Sequence, residues 1–399
     1  MSSDAQTPAR APRVLLLTSH LRVWAGSELV IIELAEELLR RGSSVRLYSD
    51  IVDQAFIAPL LEKGATLATE VGDVALTDFD VVYCQHHMLT AFTEQLLGRD
   101  RGRLPFIIYG HLSPYDALEM PGPAIEPIHA DLILCNSEET RARMRSLGLP
   151  DHRMEVLPNP APEGFFALRP GGTALRRLLA VSNHFPKEVV GALDLLRQEG
   201  VEVTVLGRRF ESRRVTPRDL EEHDAVVTIG KTVQYALASG RPAFVYDRFG
   251  GPGWLLPANL EACARHNFSG RCCATAKSAD EIAREIRDGF GSARAFAEEL
   301  RRDADRWRLS RYVERLFLAG RPAARHDADP FESLGEDRLA LIRREHLMFV
   351  ALRQARLGAA RLKGEALRNR ADGSRASARK PAGGAGRIAG WLSRHFRRR

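Results

Sequence analysis

Several short stretches combine side chains able to bind anions or move protons with glycines or strand ends. Lys231-Thr232 follows Gly230 and opens a helix-like run. A lysine there suits a phosphate, because ammonium charge, loop amides and helix dipole converge. The stretch is not a P-loop, since the upstream GxxxxGK[ST] pattern is absent. His111 follows Gly110 after an apolar run, and a neutral imidazole there can act as a general base or steady charge. His86 and His87 adjoin a second run end, as lining of a pocket or as plain structure, with no third residue spaced to complete a metal site. Arg208, Arg209, Arg213 and Arg214 cluster after a third, as an anion grip or as a solvated charge run.

These residues need elements to hold them, and the chain supplies an alternation of strand and helix. Arg13–Thr18 is a continuous apolar run expected as a buried parallel strand. Ala25-Gly26-Ser27 forms a loop, Glu28–Arg41 carries a helical apolar stripe closed by Gly42, and Ser44–Ser49 is a second strand. Strands follow at Phe79–Cys84, Pro105–Tyr109, Asp131–Cys135 and Met154–Leu157, the last two separated by a helix over Glu138–Leu147. A Pro- and Gly-rich stretch, 158–173, marks a boundary. The alternation then restarts with strands at Arg177–Val181, Val201–Leu206, Ala225–Ile229 and Pro242–Tyr246, and two helices over 278–318.

The expected fold class is therefore α/β: two Rossmann-like domains facing across a cleft, plus a basic helical and flexible C-terminal tail. The expected divisions are a disordered 1–12, an N-terminal domain over 13–165, a C-terminal domain over 174–320 that includes its closing helices, and the tail over 321–399. Ligands of open α/β sheets bind beyond the strand C-termini. That places Gly26, Ser27, His86, His87, His111 and Ser137 in the first domain at the site. In the second domain it places Asn183, Lys187, Gly230, Lys231, Thr232, Asp247, Gly250 and Gly251 there, the last two letting backbone approach a ligand closely.

Composition narrows the function classes. The chain has 399 residues, 44% hydrophobic and 27% charged, as in soluble globular proteins. Net charge is +7, but residues 321–399 hold 19 basic and 8 acidic residues against 39 and 43 in 1–320. The body is mildly acidic, which argues against a specific nucleic-acid reader; the tail suits an anionic membrane surface. Five cysteines without a CxxC pair argue against structural zinc and for a reducing compartment. The start, MSSDAQTPARAP, lacks the apolar core of a signal peptide, so the expectation is cytoplasmic, at most peripheral on a membrane.

Three stretches resemble the GT-B glycosyltransferases of family 4: WAGSELVIIELA at 24–35, residues 131–160 running from Asp131-Leu132 to Pro158-Asn159-Pro160, and DAVVTIGKTVQYALASGRPAFVYD at 224–247. The resemblance implies a sugar moved from a nucleotide-diphosphate sugar, held by the second domain, to a glycan, lipid or other acceptor held by the first. It implies His111 on the acceptor side, Lys187 and a residue near Asn183 on the diphosphate, no cofactor and no metal, and a role in cell-surface polysaccharide or glycoconjugate synthesis. The sequence departs from the family where paired glutamates are usual: Tyr235 stands at the second position and Val227 at the first. Asp224 also follows Gly207 by only 17 positions, where relatives fit a further strand and helix. These departures keep open an alternative, a GT-B-like binding or assembly subunit without transferase activity. A sugar-nucleotide epimerase on the same architecture lacks a counterpart to the 131–160 match.

Overall fold

A computed structural model describes residues 10–97, 103–319 and 336–373. The first sheet contains β1 (Arg13–Leu21), β2 (Ser44–Val52), β3 (Thr66–Ala68), β4 (Val81–Cys84), β5 (Phe106–His111), β6 (Leu132–Cys135) and β7 (Met154–Val156). Its order is β3-β2-β1-β4-β5-β6-β7, and every pairing is parallel. The strands are apolar on both faces because helices cover both. The helices are α1 (Gly26–Arg40), α2 (Gln54–Glu62), α3 (Thr93–Leu96), α4 (Ile125–His129) and α5 (Glu138–Ser146). Ser137 caps α5, its hydroxyl accepting the Thr140 amide at 3.2 Å.

The second sheet is smaller: β8 (Arg177–Val181), β9 (Glu202–Leu206), β10 (Ala225–Thr228), β11 (Ala243–Asp247) and β12 (Gly250–Trp254), in the order β12-β11-β10-β8-β9. Its helices are α6 (Lys187–Gln198), α7 (Pro217–Glu221), α8 (Lys231–Ser239), α9 (Leu260–Arg265) and α10 (Ala279–Leu300). Between β9 and β10 lies only the short α7, which is the trimming anticipated from the spacing. The Gly250–Gly253 stretch, expected as a ligand-facing loop, is instead an antiparallel edge strand on β11. Side chains at Gly250 and Gly251 would strike the backbone oxygens of Thr275 and Val245, so these glycines admit neighbouring chain, not a ligand.

The closing helices do not all stay with the second domain. After α10 the chain crosses back, and α11 (Leu309–Val313) buries Leu309, Tyr312 and Val313 with Val30, Leu34 and Leu38 of α1. Residues 309–318 thus complete the first domain's core rather than the second's. The tail departs from expectation as well. α12 spans Glu336–Gly373. Its first turns place Ile342 and Phe349 in the first domain's other core, with Leu89, Ile125 and Ile128. Burial of two such side chains contributes roughly 3–6 kcal/mol. By its contacts the chain divides into two compact units, Met1–Ala351, which holds both sheets, and Leu352–Arg399. In the second unit α12 exposes Leu352 and Leu362. The end of the expected tail, where Ile388, Trp391, Leu392 and Phe396 stand among basic residues in an amphipathic pattern, lies outside the described residues. Among the described residues no helix is long and apolar enough to cross a membrane.

Candidate functional site

A cleft of about 520 Å³ opens at the C-terminal ends of both sheets. Its walls follow from the strand orders. The first sheet reverses direction between β1 and β4, and the second between β8 and β10. Loops diverge at such switch points and leave a crevice. His20 and His86 line it from β1 and just past β4, while Ser182–His184 and Gly230–Thr232 line it from just past β8 and β10. Gly207 closes the end of β9 against β8: φ is 149°, and a Cβ there would lie 1.9 Å from the Ser182 carbonyl oxygen.

Among the described residues the first-domain wall carries imidazoles and carboxylates and no Lys or Arg. The His20 and His86 rings stack at 5.2 Å, nearly parallel. Ser19 Oγ lies 2.6 Å from His20 Nδ1 and 3.0 Å from His86 Nδ1. A hydroxyl has one proton, so it serves one of these nitrogens at a time. The opposite nitrogens face carboxylates, His20 Nε2 to Glu28 at 3.2 Å and His86 Nε2 to Glu119 at 3.5 Å. Glu28 is fully buried at the start of α1. Burial alone pushes its pKa up, but His20 and the Ser27 hydroxyl hold it below the ordinary glutamate value. His86 and His87 are consecutive left-handed residues, φ 56° and 62°. Such backbone costs free energy in non-glycine residues and persists where surroundings impose it. Here it sends the two imidazoles to different partners: His86 to the cleft and His87 to Glu345 of α12 at 2.6 Å.

The second-domain wall is cationic. Arg208 lines it, and Arg209 and Arg248 stand near. Among the described residues these three have no carboxylate partner. Partial burial and then the charges of Arg208, Arg248 and Arg209 push His184 below the ordinary histidine value. The other two arginines of the cluster are committed elsewhere. Arg213 binds Asp219 at 2.6 Å, and Arg214 reaches Glu36 at 2.8 Å and Glu33 at 3.3 Å, both on α1. Lys231 at the head of α8 is buried. It meets Glu33 at 2.8 Å and donates to the Pro160 carbonyl at 2.8 Å. Burial lowers its pKa against the pull of Glu33.

Of the residues expected at the site, the cleft brings together Gly26, Ser27, His86, Asn183, Gly230, Lys231 and Thr232. The others stand off it. His111 is buried, its Nε2 2.6 Å from Glu126 and its Nδ1 2.8 Å from the Glu119 carbonyl. His87 and Ser137 belong to the α12 contact and the α5 cap. Lys187 is exposed at the first turn of α6. Tyr235 is fully buried, stacks on Phe165 at 4.3 Å and hydrogen-bonds Glu33. Asp247 organises the β11–β12 turn by accepting the Phe249 amide at 2.7 Å. His20, Glu28 and Glu119 are not among the residues the sequence pattern marks. The apolar run of the first strand ends at Thr18, whereas β1 runs on to Leu21 and carries His20 to the cleft. Among the described residues no group of three or more His, Cys, Asp or Glu is arranged to hold a metal ion.

Comparison with known proteins agrees with this fold. Residues 24–163 match the model of Glycosyltransferase Family 4. Anabaena HepE, solved with UDP and glucose, superposes with a TM-score of 0.52 at 14% identity over 77% of this chain and 100% of that one. A glycosyltransferase from Rickettsia africae superposes with a TM-score of 0.50 at 11% identity, over 76% and 97%. No curated protein matches the chain. The fold is that of the GT-B glycosyltransferases. The match to the Glycosyltransferase Family 4 model lies in the N-terminal domain and ends at the interdomain linker.

Proposed function

We propose that this protein transfers a glycosyl group from a nucleoside-diphosphate sugar, bound on the second-domain wall, to a hydroxyl-bearing glycan or glycolipid on the first-domain wall. The supporting observation is the division of charge across one cleft: Arg208 and the head of α8 on one side, the His20–Glu28 and His86–Glu119 pairs on the other. A leaving diphosphate gains charge in the transition state, and fixed donors stabilise it most in a partly dry site. Arg208, Asn183, Thr232 and the α8 amides are the groups we assign to it. On the opposite wall we assign His20 as base. Glu28 holds its Nε2, and when Ser19 turns to His86 the His20 Nδ1 is released to an acceptor hydroxyl. Anabaena HepE, of the same fold, is known in complex with UDP-glucose.

One observation favours a second reading, a sugar-nucleotide-binding subunit without transfer. Lys231 is held by Glu33 and Pro160, and Tyr235 and Val227 replace the family's carboxylates. Calorimetry with a nucleotide-sugar panel, followed by assay of nucleoside diphosphate release with glycan acceptors, separates the two. Transfer predicts saturable donor binding and acceptor-dependent release, with His20→Ala lowering kcat by roughly 10²–10⁴-fold at unchanged donor affinity. Binding without release supports the second reading, and no binding to any nucleotide overturns both.

A further inference from the structure

The segment after α9 carries chemistry that glycosyl transfer does not use. Asn267 and Phe268 both take left-handed backbone, φ 50° and 53°, and turn the chain back on itself. Cys272, in a 3-10 turn over Gly270–Cys272, thereby meets Cys263 at an Sγ–Sγ distance of 3.4 Å. A disulfide needs about 2.05 Å, so the sulfurs have only a short approach to make. Their surroundings differ. Cys263 is buried within the core that includes Leu260 and Phe268, whereas Cys272 is half-buried and within reach of a small reagent. A hydrogen bond from the Cys263 thiol, aided by Cys273 and nearby His266, outweighs burial and lowers the Cys272 pKa to about 6. The same hydrogen bond, with burial, pushes Cys263 up. A partly accessible thiolate beside a protonated thiol is the arrangement of an attacking sulfur and its resolving partner.

We propose that Cys263 and Cys272 form a thiol-modification site, a dithiol that hydrogen peroxide or a low-molecular-weight disulfide converts reversibly to an intramolecular disulfide, with Cys272 the attacking sulfur. With peroxide, the Cys272 thiolate bonds to one oxygen, the O–O bond breaks and hydroxide leaves, giving the sulfenic acid. The Cys263 sulfur then attacks Cys272, the S–S bond forms, and the S–O bond breaks to release water. Two thiols lose two electrons and one peroxide becomes two waters. With a small disulfide, the Cys272 thiolate attacks one of its sulfurs, the S–S bond breaks and one small thiol leaves; the Cys263 sulfur then attacks Cys272 and expels the second, so the two electrons reduce the small disulfide to two thiols.

The site has a path to the cleft. Asn267, inside the loop this disulfide closes, lines the cleft and accepts a hydrogen bond from Asn159 of the first domain at 3.0 Å. The Phe268 carbonyl accepts the amide of Gly230, at the head of α8, at 3.2 Å. Arg271 binds Glu139 of α5 at 2.6 Å. The disulfide therefore closes the loop that joins the second domain to the first.

The test uses the full chain, treated with stoichiometric peroxide or oxidised dithiothreitol, then alkylated and peptide-mapped. The expected result is a loss of about 2 Da, one cross-linked peptide joining Cys263 to Cys272, and reversal by dithiothreitol. Cys272→Ser and Cys263→Ser each abolish the cross-link, and Cys273→Ser keeps it. In the untreated protein, iodoacetamide at pH 7 labels Cys272 at least about tenfold faster than Cys273. Equal labelling, a cross-link that survives Cys272→Ser, or oxidation confined to other cysteines would overturn the proposal. None of these readouts depends on glycosyl transfer.

Discussion

Glu33 of α1 and Lys231 of α8 meet across the two domains at 2.8 Å, and both side chains are buried. Tyr235 donates to the same carboxylate, and Arg214 reaches it at 3.3 Å. The position where the family carries a donor-site glutamate thus serves domain packing here. Removing one partner of a buried pair strands the other's charge, at a cost of about 3–5 kcal/mol. Glu33→Gln is expected to lose that much in denaturant unfolding, and Lys231→Met less, because Tyr235 and Arg214 still hold Glu33. The double variant should lose less than the sum of the two, because Lys231 is then no longer left unpaired while Arg214 keeps Glu36. Strict additivity of the two losses would show the pair to be uncoupled.

Nucleotide affinity is expected to depend on Arg208 more directly than on Lys231. Arg208 is exposed, lines the cleft and has no carboxylate partner among the described residues. A charge-assisted hydrogen bond to phosphate contributes about 1.5–3 kcal/mol, or roughly 10–100-fold in Kd. Arg208→Ala should weaken nucleoside-diphosphate binding by that factor in calorimetry while changing unfolding free energy by less than about 0.5 kcal/mol. An unchanged Kd would remove Arg208 from the donor site.

His111 is expected to govern a pH dependence of stability and not of the proton transfer itself. Burial alone would lower its pKa, but the Glu126 carboxylate and the Glu119 backbone raise it from 6.5 to about 9. A raised folded-state pKa gives stability that is fully present below 6.5 and lost as pH climbs through 9. The loss is at most about 3 kcal/mol, from the size of that shift. Unfolding free energies measured between pH 6 and 10 should fall accordingly, and His111→Gln should flatten the decline. A decline of the same size in that variant would assign it to other groups.

The two-sheet architecture was legible because the strands at Val14–Leu17, Leu132–Cys135 and Ala225–Thr228 are continuous apolar runs between helix-like segments. Strand ends then pointed to the right loops, including Gly230–Thr232 and His86. Which side chain faces a cleft is set by packing that a linear pattern does not encode. His86 and His87 are neighbours with one residue type, yet one enters the cleft and the other pairs with α12. Lys231 had the residue type of a phosphate ligand, but its partner Glu33 lies 198 positions earlier. The edge strand at Gly250–Trp254 was hidden because Gly and Pro argue against a strand, and only pairing with β11 makes one. The apolar face of α11 reads equally well against either domain, so its return to α1 was not visible.

The attachment of α12 is the part of the molecule most open to a decisive test. Glu345 is 4% exposed within a helix that reads as solvated and basic. One carboxylate oxygen accepts the amides of Ala124 and Ile125 at 2.6 and 2.9 Å, capping α4, and the other meets His87 Nε2 at 2.6 Å. His346 Nδ1 lies 3.1 Å from the Thr90 carbonyl oxygen alongside. Glu345→Ala leaves two buried amides and an imidazole without this partner, at an expected cost of about 3–5 kcal/mol. Glu345→Gln should cost less, since an amide oxygen still accepts from one donor. The expected observation is a lower Tm together with new proteolytic cleavage between 336 and 351, ahead of cleavage elsewhere. A chain ending after Ala319 should likewise melt at a lower temperature and be cleaved faster elsewhere, because it uncovers the surface under Ile342 and Phe349. If both variants melt and resist protease as the full chain does, α12 is an appendage and not part of the first domain's core.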